Sequence, residues 1–349
     1  MIKSISDRSK KILHSLINEY IISGEPIGSR TLSKKYNIDL SPASIRNELA
    51  DLEELGFLFQ PHTSAGRVPT DEGLRYYIDS ILVIRKLTEF EKQIIDNSYR
   101  GSTFEFIDIM KETSRLLSVF SRFTGVVLAP KFENITFKHI EMVKFRKNQI
   151  LTVLVSKTGI IRNKIIEIDE DLSQDELYKF SRYLNELLTD LTLKEARKKI
   201  VAEMKKEKNM YDCLLSMALK LSQKAFNSQV EDDIYDDDIY IYGKCNIFDY
   251  PEFCDIEKTK TVFRAFEEKS ILIKILDQAI EGNGIQIFIG SENNFKEMQS
   301  CSIVASPYTC KDNTIGILGV IGPTRMSYSD IVPIVDYTAK TVSRIMDNI

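Results

Sequence analysis

The chain is poor in the residues that make covalent or metal staples. Its five cysteines (Cys213, Cys245, Cys254, Cys301 and Cys310) are odd in number and widely spaced, with no CxxC pair. That argues against a disulfide framework and for a reducing cytoplasm. Only three histidines are present, His14, His62 and His139, so no structural zinc site and no metal is expected. No apolar run approaches the roughly 18 residues that cross a membrane. The opening MIKSISDRSKK has no apolar stretch of the signal-peptide kind and leads into a helical pattern. GxSxG, a phosphate loop and a His-based nucleophile pairing are all missing, so neither an enzyme nor a cofactor is expected. An excess of positive charge is missing too. The net charge is −4, so any nucleic-acid binding must use a local patch.

What remains is ordinary for a globular protein, with 43% hydrophobic and 28% charged residues over 349 positions. That length suggests about two to three domains. Residues 8–22 repeat apolar positions at helical spacing, and SGEP at 23–26 ends that helix. GSRTLSKKYNI starts a second, short helix, with Ser29 or Thr31 as its expected cap. A third follows, with Ser41 as N-cap, Pro42 at its first position and Gly56 at its end. FLFQPHTSAGRVP at 57–69 reads as two short strands around a polar loop, and Thr70 caps a fourth helix. Three helices and a small hairpin make a winged helix-turn-helix.

With Ile45 set at zero on a helical wheel, Leu49 and Leu52 fall within about 40° of it and form the buried face. Ala43 and Asn47 lie opposite, flanked by Ser44 and Arg46. The acids Asp51, Glu53 and Glu54 gather at the far end. Small residues outward, polar reach in the first turns and acids held back suit a helix that enters a DNA major groove N-terminus first. Asn47 can pair with an adenine edge, Arg46 with a guanine edge or a phosphate, and Ala43 can touch a thymine methyl. Ser29, Arg30 and Thr31 would face phosphate. The loop residues His62, Thr63, Ser64 and Arg67 add donors without an acid, and an arginine at a wing tip suits a minor groove or a phosphate. Residues 30–47 carry four basic side chains (Arg30, Lys34, Lys35, Arg46) against Asp39 alone. The plain alternative is an amphipathic helix whose charged face is merely solvated.

Beyond the wing, 85–120 reads as a helical connector. Strand signals follow at 123–168 and again at 285–322, and are expected to share one α+β sheet interrupted by a helical block. The expected domains are therefore 1–84, the winged helix; 85–120, the connector; 121–190 and 266–349, two parts of one α+β domain; and 191–265, an insertion. The acidic run EDDIYDDD at 231–238 lacks the alternate spacing and central glycine of a calcium loop and reads as a solvated loop. Tyr308, Tyr328 and Arg325 are the polar candidates for a small-ligand site near the late strands, although core or surface packing is the better reading of each.

The stretch 21–79, IISGEPIGSRTLSKKYNIDLSPASIRNELADLEELGFLFQPHTSAGRVPTDEGLRYYID, closely resembles the heat-inducible transcription repressor family, HrcA. GILGVIGPTRMSYSDIVPIVDYTAKTVSRIM at 316–346 is similar to that family's closing segment. The resemblance implies a repressor of chaperone operons that binds an inverted-repeat operator in double-stranded DNA as a homodimer. It implies release on heat shock and a GroE chaperonin partner that promotes the active state. It also implies the fold: a winged helix, a GAF-like domain and a smaller inserted dimerisation domain. Carried over by position, its DNA-contacting segments are Ser41–Asn47 and His62–Arg67. A metabolite-responsive repressor with a ligand in the GAF-like domain, and a winged helix used for protein contact, stay open as alternatives.

Overall fold

The computed structural model describes residues 5–348 apart from 37, 39, 101–105, 131–135, 158–160, 169–171, 208–238, 281, 283 and 311–312. The acidic run and Cys213 lie outside the described residues.

Local chemistry sets the first elements. Ser6 accepts the Ser9 amide at 3.0 Å and starts α1 (Asp7–Ser23). Helix α2 (Ser29–Lys35) begins one residue after Gly28, which offers no side-chain cap. Neither Ser29 nor Thr31 is therefore the cap: Ser29 is already helical and buried. Ser41 caps α3 (Pro42–Glu54) by accepting the Ser44 amide at 3.1 Å. Ile45, Leu49 and Leu52 turn inward against Ile12, Leu16 and Leu32. Gly56 leaves the helix at φ +83°, a conformation that favours glycine. Strands β1 (Leu58–Phe59) and β2 (Val68–Pro69) pair antiparallel as the wing, and Thr70 caps α4 (Asp71–Ser80).

Helices α5 (Glu89–Ser98) and α6 (Phe106–Ser121) lead to β3 (Thr124–Leu128). Strands β4 (Phe137–Arg146), β5 (Gln149–Ser156) and β6 (Ile161–Glu167) follow, then α7 (Gln174–Leu188) and α8 (Leu193–Glu207). After β7 (Ile239–Tyr242) come α9 (Ile256–Glu267), α10 (Lys269–Ile280), β8 (Gln286–Ile289), β9 (Cys301–Cys310), β10 (Asn313–Pro323) and α11 (Tyr328–Asn348).

An antiparallel five-stranded sheet, in the order β7-β3-β10-β9-β8, carries the GAF-like part of this α+β fold. Alternate residues face opposite ways, as strands require. Val127, Val304, Leu318 and Val320 pack toward α6 and α11, whereas Val126, Ile303, Ala305 and Ile317 pack toward α9 and α10. Helix α6 is thus a layer of this domain and not a connector, which corrects the reading of 85–120.

Strands β4-β5-β6 form a separate sheet, which corrects the expectation of a single one. Phe137, Ile140, Met142 and Ile150 bury against Leu177, Phe180 and Leu184, closing a second core. Helix α7 also satisfies the β4 edge. Asn185 accepts the Ile140 amide at 2.8 Å and donates to its carbonyl at 3.0 Å, and Ser181 accepts the Met142 amide at 2.9 Å. The sheets therefore divide the chain differently from boundaries at 190 and 265: Phe137–Glu207 closes apart, and β7, α9 and α10 belong to the main sheet.

Charged contacts dock the winged module onto the GAF-like body. Asp71 accepts the Ser291 amide at 2.8 Å and its hydroxyl at 2.7 Å. Arg75 donates to Glu292 at 2.8 Å and also to the Ile287 carbonyl. Arg325, buried over the Tyr250 ring, pairs with Glu252 and donates to the Ile21 carbonyl at 2.9 Å, near the end of α1.

Candidate nucleic-acid interface

The wing folds back beside α3. Ile27 and Arg67 exchange backbone hydrogen bonds of 2.9 and 2.8 Å, which fastens the wing to the entry of α2. Gly66 makes this possible, because a Cβ there would lie 2.4 Å from the Ile27 backbone. Gln60 shapes the loop. Its amide donates to the Thr63 carbonyl at 3.0 Å and to the Ala65 carbonyl at 2.8 Å.

Between α3, the start of α2 and the wing lies a cleft of about 540 Å³. Ser29, Arg30, Arg46, Thr63, Ser64 and Arg67 line it, together with Gln60 and backbone from Gly28, and among the described residues no acid is in its lining. Arg30 and Arg46 are exposed, and among the described residues neither holds an ion pair. Such a concentration of donors in a groove of fixed shape suits an anionic, regularly spaced ligand such as a phosphodiester backbone.

The other expected residues sit outside the cleft lining. Ala43 and Asn47 are exposed on the outward face of α3. Ser41 and Ser44 stand at its N-terminus with their hydroxyls 3.0 Å apart. His62 is exposed at the wing tip, and Thr31 is half-buried. Arg67 departs from expectation. It stands at the wing base, its side chain 18% exposed, with Nε 2.7 Å from Glu53 Oε2. The tip belongs to His62, Thr63 and Ser64. Lys35 departs as well. It bonds the buried Glu19 carboxylate, which raises its pKa, and so it serves α1 and α2 more than the basic patch.

Gln60 and Glu48 are not marked by the sequence, and Glu53 stands out there only as one of the acids at the far end of α3, not as a partner of Arg67. Glu48 accepts Ser9 Oγ at 2.9 Å and pairs with Arg8 at 3.1 Å, which sets the tilt of α3 on α1. Glu53 carried a readable signal: it lies seven residues after Arg46, on the same helical stripe. Gln60 carried none, because its partners are backbone carbonyls.

The family model described as HrcA protein C terminal domain matches residues 107–332. The heat-inducible transcription repressor HrcA of Geobacter sulfurreducens is 47% identical over 343 residues, covering 98% of each chain. The chain belongs to the HrcA family. HrcA of Syntrophobacter fumaroxidans is 43% identical, again over 98% of both chains. A solved structure described only as a hypothetical protein at 2.2 Å resolution covers 99% of each chain with a TM-score of 0.64 at 21% identity, a likeness of fold. Among the described residues no helix is long and apolar enough to cross a membrane.

Proposed function

We propose that this HrcA protein represses transcription of chaperone operons by binding an inverted-repeat operator as a homodimer. One observation carries the reading: Arg30, Arg46 and Arg67 converge on one cleft between a helix with an exposed, small-residue face and a wing. Helix α3 enters the major groove with Ala43, Arg46 and Asn47 at base edges. Ser29, Arg30 and Thr31 lie along the phosphates, and His62, Thr63 and Ser64 reach the flanking backbone or minor groove.

A single recognition helix reads too few base pairs to mark one genomic site, so the reading needs two copies. The open face of the three-stranded sheet supports that need. Val143, Phe145, Ile161 and Ile165 are 39%, 48%, 65% and 49% exposed there, an apolar patch suited to burial against a second copy. Heat would loosen the dimer or the docked heads, the half-sites would no longer fit together, and repression would fail. A GroE chaperonin that restores the folded state would restore repression.

The ligand-binding alternative gains no support from its candidate residues. The buried Tyr308 hydroxyl donates to the Leu128 carbonyl at 3.0 Å, Tyr328 donates to the Thr324 carbonyl at 2.7 Å, and Arg325 is held by Glu252. Footprinting the purified protein on chaperone-operon promoters, with and without chaperonin, tests the proposal. Protection of an inverted repeat that fades on heating is expected. Uniform protection of unrelated DNA would refute a specific repressor.

A further inference from the structure

We infer that Glu53 is a positioning residue for DNA recognition: it touches no DNA, but it confines the Arg67 guanidinium to the cleft and discounts its charge. This rests on the reading of the cleft as a DNA interface. Glu53 stands near the C-terminal end of α3, far from the groove-entering turns, and its Oε2 lies 2.7 Å from Arg67 Nε. The Arg67 backbone is itself pinned by two hydrogen bonds to Ile27. The contact with Glu53 is an ion pair and not an aligned hydrogen bond, so it attracts the guanidinium without fixing its plane; together with the pinned backbone it confines the Arg67 side chain to the cleft that Arg30 and Arg46 also line.

Two consequences follow from this geometry. A confined fork forms a hydrogen bond to one phosphate at reduced entropic cost, which favours a single register along the duplex. The nearby carboxylate also cancels much of the long-range attraction that Arg67 would exert on any DNA, whatever its sequence. Glu53 thereby lowers non-specific affinity while leaving the register-dependent contact intact. The pair thus acts on the ratio of specific to non-specific binding, the quantity that decides occupancy in a genome.

The test uses the full chain, the operator duplex found by footprinting and a scrambled duplex of equal length. Glu53→Gln should tighten binding to the scrambled duplex several-fold and steepen its salt dependence by about one unit of log–log slope. Operator affinity should not rise with it, so the specificity ratio should fall several-fold. Glu54→Gln removes the same charge from an exposed neighbour without touching Arg67, and should tighten both duplexes by one common factor. Arg67→Lys keeps the charge but loses the fork, and should reproduce the drop in ratio even if Glu53→Gln folds poorly. If Glu53→Gln behaves like Glu54→Gln, or if Arg67→Lys keeps the parent ratio, Glu53 has no positioning role. A parent protein that prefers no duplex over another would instead overturn the reading of the interface itself.

Discussion

Arg46 is exposed on the second turn of α3, with the buried Ile45 beside it and no ion pair among the described residues. Replacing it should leave the core untouched. Arg46→Ala is expected to weaken operator binding by about 1–3 kcal/mol, the range for a base or charged DNA contact, at an unchanged melting temperature. Titration by fluorescence anisotropy checks this, and unchanged affinity would remove Arg46 from the reading surface. Arg67→Ala should cost more than affinity at one phosphate, because it leaves the Glu53 carboxylate unpaired beside the DNA. Its salt slope should fall by about one unit, since the pair with Glu53 goes from neutral to a net negative charge. Residues governed by neighbours in sequence were legible from the start. Ser41 and Thr70 cap helices because capping is local, and Ile45, Leu49 and Leu52 follow the helical period. The place of Arg67 at the wing base is not legible in the sequence, because it depends on Glu53 and Ile27, partners brought close only by the fold.

Helix α5 shows how one element is held by charge. Thr88 and Glu91 form a capping box, and Arg85 donates to both Glu91 oxygens, at 2.9 and 2.7 Å, and to Asp330 of α11 at 2.6 Å. The Arg85 hydrogen bonds, with help from the Thr88 amide, hold the Glu91 carboxyl down at about 2, from its usual 4.5. A lowered carboxylate pKa gives stability that is present above about pH 4.5 and is lost as pH falls toward 2. Glu91→Gln keeps the cap but removes the ion pair. It should be less stable than the parent by up to about 1 kcal/mol at pH 7, because water still screens a pair whose side chains are 34% and 21% exposed. Urea unfolding across pH should show that gap closing below about pH 4.5, whereas a constant gap down to pH 3 would mean that the charge contributes nothing. Partner choice among strands is not legible in the sequence. Alternation in KHIEMVKF and QILTVLVS marks strands and their buried faces, but it is silent on which sheet they join. That was decided by α7, whose Asn185, Ser181 and Gln174 occupy the β4 edge.

At the scale of the whole molecule, the winged module is not tethered loosely. Its apolar core runs on into residues of α5, α6 and α11, and charged contacts sit at its boundary with the GAF-like body. Asp71 holds the turn at Ser291, Arg75 holds Glu292 and the Ile287 carbonyl, and Arg325 reaches the Ile21 carbonyl. In the proposed dimer these contacts set the orientation of each head, and so the half-site spacing that the pair can read. Linking two heads multiplies affinity only while both can engage at once. Loosening the boundary should therefore leave one head's affinity alone and reduce the gain from two. Asp71→Ala/Arg75→Ala is expected to bind a single half-site as the parent does. Its affinity for the full inverted repeat should fall at least tenfold, its tolerance for altered spacing should widen, and it should release the operator at a lower temperature. Binding to half-site, full-site and respaced duplexes between growth and stress temperatures measures all three. If the ratio of full-site to half-site affinity were unchanged, head orientation would be set by the shared apolar core, and heat release would have to act through the dimer contact instead.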